Sequence, residues 1–418
     1  MDWLSEKTDL LKRDRAYFRF HPDTPCEIHT IVIQEEDNGD VRFENKVITS
    51  AQQYLEWTGT CCPSSTGTYK RTLVLAMHRR LDGSDCQFIN STKHLPYDDE
   101  TFRNASNNLF QHRSIALTIA RKSTTVINIR PVTWTSGASG QSIVYNCASN
   151  TESVAGEDDI ILSATCFKDK PLRFAVMYGC TIEQIEKTTI GLRQQKQSAF
   201  HPLILPMVFL QLERQRIVNS FERKSSSLLQ KVLDLKNRVI SGDRDTTTKD
   251  GARNPTMTER DCEAIQLWLD MSSLKNGFES LLEQLASIKG HLEDLSDTQS
   301  KPSDDGQEIK DREEYDGIYI GLRLNEMMVE LKGKIRRCET LLGGMTMATQ
   351  MEWNYLSRRD ARLNFSIAIE KHDDFIQWVM DEHCARGREV TPDELVRNIF
   401  ITMVTSMHGT STIAYSVL

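Results

Sequence analysis

The residues best suited to chemistry are acidic and lie together in the stretch 293–316. It holds ten carboxylates against three basic residues, a net charge of −7. The ten acids are Glu293, Asp294, Asp297, Asp304, Asp305, Glu308, Asp311, Glu313, Glu314 and Asp316. Carboxylate oxygens are the ligands that Mg²⁺ prefers, so Asp304, Asp305 and Glu308 are the candidate metal ligands. The alternative is a solvated loop whose acids favour the N-terminus of the next helix.

Cysteine is the second residue type with reactive potential. Ten cysteines are scattered along the chain, without a C-x-x-C pair or a finger-like spacing to histidine. The start of the chain is charged and has no apolar run, which predicts a cytoplasmic protein with reduced thiols. We therefore expect small buried hydrophobic cysteines rather than a zinc or disulfide site.

Motifs typical of enzymes are absent from the sequence. It contains no G-x-G-x-x-G, no P-loop, no H-E-x-x-H and no G-x-S-x-G. The segment Gly137-Ala-Ser-Gly140 lacks a phosphate-binding lysine, and Glu382, His383 and Cys384 are consecutive, so they cannot converge on one ion if helical. We expect a protein that is not an enzyme, with no catalytic or cofactor-binding residues.

The charged residues of the chain indicate which classes of partner are expected. The 51 basic and 59 acidic residues give a net charge of −8, which does not favour nucleic-acid binding. Arg358, Arg359, Arg362 and Lys371 form a basic cluster, either a solvated helix face or a contact for anionic lipid. After Arg397 the last 21 residues carry no Asp, Glu, Lys or Arg, but only 11 of the last 20 are apolar. Such a tail is a poor membrane span.

Two kinds of segment must position these residues. Short β-branched and aromatic runs predict strands at 26–34, 41–48, 71–77, 114–119, 124–129, 160–164 and 173–178. Helices are predicted between them at 50–57, 98–111 and 181–197, and a Ser-, Gly- and Asn-rich surface loop at 134–159.

After residue 190 the apolar residues recur every three or four positions. The longest unbroken series is Leu267, Met271, Leu274, Phe278, Leu281, Leu285, Ile288, Leu292 and Leu295. A second series, from Ile217 to Val239, predicts a helix ending before Gly242, and a third, from Leu324 to Ile367, predicts a helix longer than about 60 Å. Polar spacers at 241–258 and 296–307 predict mobile loops between these helices.

These patterns together predict an α+β protein. We expect a mixed α/β domain (1–190), an antiparallel helical arm (191–307), one long stalk helix (308–372) and a divergent tail (373–418).

Two stretches also resemble a known family. HPLILPMVFLQLER (201–214) and RCETLLGGMTMATQMEW (337–353) resemble the helical region of fungal CorA-like proteins, relatives of the CorA divalent-cation transporters. The resemblance covers residues 165–370 well and the first domain loosely. It implies a cytoplasmic α/β domain, a helical arm and a stalk helix, assembled as a ring of five. Gly344-Met345-Thr346 matches the family's Gly-Met-Asn signature in letters only, because it lies inside the stalk.

The resemblance predicts a non-enzymatic oligomer like the cytosolic part of such a transporter, with an interaction or regulatory role and self-association through the stalk. The C-terminal tail of the chain is that of a natural relative without the pore, or it results from an altered reading of a longer gene. The alternative function is a membrane-inserted Mg²⁺ transporter, with spans in or beyond the tail and its first domain facing the cytoplasm.

Overall fold

The computed structural model describes residues 8–61, 69–81, 91–120, 125–134, 140–151, 158–168, 170, 172–241, 257–298 and 307–385. The strands in these ranges are β1 (Arg19–Phe20), β2 (Ile28–Glu36), β3 (Val41–Ile48), β4 (Tyr69–Arg79), β5 (His94–Leu95), β6 (Val126–Trp134), β7 (Gly140–Ala148), β8 (Ile161–Phe167) and β9 (Leu172–Cys180). The helices are α1 (Lys12–Arg15), α2 (Ala51–Cys61), α3 (Asp99–Asn108), α4 (Ser114–Ala120), α5 (Ile182–Gln194), α6 (Ile204–Ser241), α7 (Met257–Thr298) and α8 (Gln307–Ala385). The predicted α+β class is confirmed.

Seven strands form one sheet in the order β3-β2-β4-β9-β8-β7-β6, and β1 pairs with β5 separately. Neighbouring strands of the large sheet are antiparallel, except that β4 and β9 are parallel. A parallel pair needs a long crossover, and here the chain leaves β4 and returns at β9 after passing through β5, α3, α4 and the strands β6, β7 and β8.

One face of the sheet forms the main core with α2, α3 and α4. Its buried side chains include Val74, Ala76 and Val176 from the sheet and Tyr54 and Phe102 from the helices. Local signals fix the helix starts, since Asp98 accepts a hydrogen bond from the backbone N–H of Thr101 at 2.7 Å as the N-cap of α3. At about 25 cal/mol per Å² of apolar area, burial of these side chains is the main favourable contribution to folding.

The edges of the sheet are protected in two ways. On β6 the N–H of Ile127 donates to Gln284 Oε1 of α7 at 2.9 Å. On β3 the alternating residues Arg42, Glu44 and Lys46 place charges along the edge, which discourages pairing with another sheet. A side chain of α7 thus covers the β6 edge, and the charged side chains of β3 itself protect the other edge.

Each of the long helices α7 and α8 packs antiparallel to the long helix before it. Between α6 and α7, Phe221 and Phe278 lie edge to face with ring centroids 5.6 Å apart, and Lys224 pairs with Asp270 at 2.8 Å. Between α7 and α8, Lys275 pairs with Glu339 at 3.0 Å. The predicted seam of α7 is buried from Met271 through Leu292, and Leu267 and Leu295 at its ends are half-buried. The periodicity therefore identified the core of the bundle.

Two predictions in the first half are wrong. Residues 114–119 form α4 rather than a strand, because Ile115, Ala116 and Ile119 lie on one buried helical face against the sheet. The predicted loop 134–159 contains β7, a buried strand between β6 and β8. The polar Ser142 and Asn146 of β7 resemble loop residues, but both are buried and hydrogen-bonded in the strand.

The chain divides into two compact units, Met1–Val232 with Asp250–Met345, and Leu233–Lys249 with Thr346–Leu418. The predicted four-part division stays a prediction. Most of both predicted interhelical loops (242–256 and 299–306) and most of the tail (386–418) lie outside the described residues.

Candidate functional site

Only part of the acidic stretch 293–316 lies within the described residues. Asp304 and Asp305 lie outside the described residues, and Glu308 falls in the first turn of α8, where its side chain is also outside them. Farther along, Glu313 pairs with Arg173 at 3.5 Å, and Asp316 accepts a hydrogen bond from Ser198 Oγ at 2.7 Å. Two of the ten acids therefore bind the first half of the chain.

The described side chains form no group of three or more His, Cys, Asp or Glu able to hold a metal ion. The thiols Cys26, Cys147, Cys166, Cys180 and Cys338 are buried and not paired in disulfides. Burial raises the pKa of Cys26 to about 11 and that of Cys338 to about 12, so these thiols stay protonated and unreactive. The prediction of buried hydrophobic cysteines is confirmed at these five positions.

A buried ion pair that sequence reasoning missed joins α6 to the sheet. Arg216 donates two hydrogen bonds of 2.9 Å to Glu213, and the same arginine donates to the backbone oxygen of Asn150 at 2.7 Å. Glu213 Oε1 also accepts from the Asn150 N–H at 2.8 Å and from Thr125 Oγ1 at 3.1 Å. Burial alone would raise the pKa of Glu213, but Arg216 and the hydrogen bonds from Asn150 and Ser149 lower it, so the carboxylate stays charged.

The sequence does contain a signal for this pair. Glu213 lies four residues before Ile217, the first position of the second apolar series, so the same spacing places it on the buried side of α6. A charge at a seam position predicts a buried partner, because an unpaired buried charge is costly. Arg216, three residues later on the same helix, is that partner.

A second polar group has the residue types of a hydrolytic triad. His112 Nδ1 lies 2.7 Å from Ser114 Oγ, which accepts from Asn146 Nδ2 at 2.6 Å. All three side chains are at least 97% buried, and burial lowers the pKa of His112 to about 4. No substrate reaches the hydroxyl, so the group fastens α4 to β7 instead of catalysing a reaction.

A small pocket lies at the end of β7, with room for about one water molecule. Its polar lining consists of Thr92, Lys93, Thr118, Ser149, Thr151 and Asp159. The backbone is constrained here, because Asp158 has φ +52° and Gly179, which contacts Thr92 and Asp159, has φ +77°. The pocket is too small for a substrate of ordinary size.

A further surface feature is a pair of exposed apolar side chains on one side of the second stretch of α8, Leu363 and Ile367, which we name the distal face. Met347, Met351, Phe365 and Ile369 are also exposed but lie on the opposite side of the helix. Leu363 and Ile367 belong to the third apolar series of the sequence, yet they are 50% and 48% exposed. Clustered exposed apolar side chains on a helix are typical of an interaction surface. Nearby, Arg358 and Arg362 of the basic cluster are also exposed, whereas the side chains of Arg359 and Lys371 lie outside the described part.

Comparison with known proteins gives no assignment. No protein-family model matches the sequence, and no curated protein matches it. Among the described helices, none has a stretch both long and apolar enough to cross a lipid bilayer.

Proposed function

We propose that this chain is a non-enzymatic protein that self-associates through the distal face of α8 and has an interaction or regulatory role. The observation that carries the proposal is the exposure of Leu363 and Ile367 at heptad positions. The architecture proposed is that of the cytosolic part of a CorA-like divalent-cation transporter, on the resemblance of residues 201–214 and 337–353 given above.

The periodicity of α8 supports a helical partner. Leu324, Leu331, Cys338 and Met345 recur every seven residues and are buried in the first unit. The same helix continues through Leu363 and Ile367, where the apolar side chains have no cover of comparable extent among the described residues. A period of 3.5 residues keeps an apolar seam facing one partner helix, so a second copy of α8 is the simplest cover.

The test measures the mass of the full chain in solution by light scattering after size exclusion, without detergent. Leu363→Glu combined with Ile367→Glu should reduce the mass to that of one chain, because two carboxylates would be buried in the seam. Helix content by circular dichroism should stay unchanged, since both side chains are exposed in the single chain. Asn364→Glu combined with Ser366→Glu is the control, because these exposed positions add the same charge outside the series.

Two outcomes would contradict the proposal. A wild-type chain that is a monomer at all concentrations would show that the distal face has another role. A chain that stays in solution only with detergent, and remains in the membrane after carbonate washing, would favour the alternative Mg²⁺ transporter.

A further inference from the structure

Two arginines lie side by side on the face of the sheet opposite α2, α3 and α4. Arg173 of β9 lies opposite Leu73 of the parallel strand β4. Arg71 lies two residues before Leu73, so its side chain is on the same face of the sheet. Arg71 is 4% exposed and Arg173 is 8% exposed. Charged side chains are almost never buried to this degree unless their charge is matched.

The partners of the two guanidinium groups are few. Arg71 Nε donates to Glu35 Oε2, and its guanidinium lies 4.6 Å from the centre of the Phe200 ring. Arg173 Nη2 donates to Glu313 Oε1 of α8 at 3.5 Å, the outer limit of a hydrogen bond. Arg312 Nη1 lies 3.8 Å from the other oxygen of Glu35.

Two buried donors remain without an acceptor. Arg71 Nη2 and Arg173 Nε are shielded from solvent and make no hydrogen bond. A buried N–H without a partner costs about 1–3 kcal/mol, and more on a charged group, so an acceptor is expected at each. Burial lowers the pKa of Arg173, the neighbouring Cys166 and Glu313 oppose that shift, and the charge of Arg71 adds to it.

The net charge around Arg71 and Arg173 indicates which kind of acceptor their two donors bind. Among the described side chains, three guanidinium groups, those of Arg71, Arg173 and the one-third-exposed Arg312, meet two carboxylates here, Glu35 and Glu313. The nearby Asp316 is hydrogen-bonded to Ser198, and His201 is neutral because burial and the charge of Arg173 lower its pKa to about 3. Water would satisfy the donors but would leave the excess positive charge in place.

We propose that Arg71 and Arg173 bind a compact inorganic anion, a halide or a phosphate-class oxyanion, with Arg71 Nη2 and Arg173 Nε as its buried donors. Guanidinium groups form strong charge-assisted hydrogen bonds to such anions. Because Arg173 also contacts Glu313 at the start of α8, the bound anion stabilises the attachment of α8 to the sheet.

The direct test is a crystal of the full chain soaked in sodium bromide, with the anomalous signal of bromine as the readout. We expect one peak within about 3.5 Å of both donors. A second crystal in sodium phosphate distinguishes the two classes, because only a phosphate-class site would show tetrahedral density there. Ordered water at both donors, or a carboxylate of the 304–311 stretch bound to them, would overturn the proposal.

The second test follows the thermal midpoint in phosphate or bromide against sodium gluconate at equal ionic strength, gluconate being too bulky for the site. An anion at about ten times its Kd should raise the midpoint by about 2–4 °C. Arg173→Met should abolish the rise, whereas Arg336→Met, which removes an exposed arginine of α8, should retain it. An equal rise in both variants would overturn the proposal, and if Arg173→Met does not fold, the bromide map of the natural chain decides.

Discussion

The α/β domain and the three-helix seam bury polar groups by opposite rules. In the seam, Met271, Phe278 and Leu285 are almost completely buried, and charged pairs such as Lys275 with Glu339 stay at its margin. In the α/β domain, by contrast, Asn146 and His78 lie inside the core, each held by a hydrogen-bonding partner. The seam of α7 keeps its charged residues at the margin, whereas the domain buries polar groups where a particular partner is present.

The largest effect should come from placing a charge in the seam. Leu281→Asp puts a carboxylate at a fully buried position without a partner, which costs several kcal/mol of a typical stability of about 5–15 kcal/mol. Cooperative thermal melting should be lost. Ser287→Asp adds the same charge at an exposed position of α7 and should change the melt little. If the thermal transition of Leu281→Asp is unchanged, the seam accepts an unpaired charge and does not differ from the α/β domain in how it buries polar groups.

Breaking the polar pair at the junction of the two regions should have the next largest effect. Glu213→Gln leaves Arg216 buried without its carboxylate, and we expect a loss of about 3–5 kcal/mol in urea unfolding. Glu330→Gln removes the partly exposed partner of Arg214 and should cost less than about 1 kcal/mol. Equal losses would mean that burial does not set the strength of these pairs.

Two glycines of the α/β domain with positive φ, Gly179 and Gly39, differ in how closely their surroundings are packed. Gly179→Ala would place a Cβ 2.6 Å from Thr92 Cγ2 and 2.8 Å from the backbone oxygen of Asp159, at φ +77°. We expect a loss of about 2–4 kcal/mol. Gly39→Ala has φ +84° but open space around it, so only the backbone cost of about 1 kcal/mol should appear. If both variants unfold at the same urea concentration, the close packing at Gly179 is unimportant.

The most gradual effect should come from pH. Burial lowers the pKa of His78 to about 3 and that of His112 to about 4, so both are neutral in the folded domain. The unfolded chain binds these protons below about pH 6.5, so stability present above that pH falls as the pH drops. Each histidine should contribute about 1.4 kcal/mol per pH unit between about pH 6 and pH 4. A free energy of unfolding that stays constant over this range would show that both histidines are accessible to protons.

How much could be predicted differs between the two regions for a physical reason. A heptad pattern depends only on which residues of one helix face the same side, so the burial of Leu274 and Ile288 was predictable from spacing. The strand β7 is not predictable from its own residues, because Ser142 and Asn146 suggest a loop until Trp134, on the paired strand β6, and Ser114, 32 residues away in sequence, supply their partners. Residues 114–119 were assigned to a strand because β-branched content does not reveal which neighbour covers them.

The sequence by itself determined the α+β class, the long helices and the seam between them, since those follow from local composition and periodicity. Tertiary structure alone decided the partners of buried polar residues that lie far apart in the sequence, as in Asn146 with Ser114 and Glu35 with Arg71. It also decided that Leu331 is buried while Leu363, on the same helix at the same period, is exposed. Periodicity states that a face is apolar, but only the presence of a partner determines whether that face is covered.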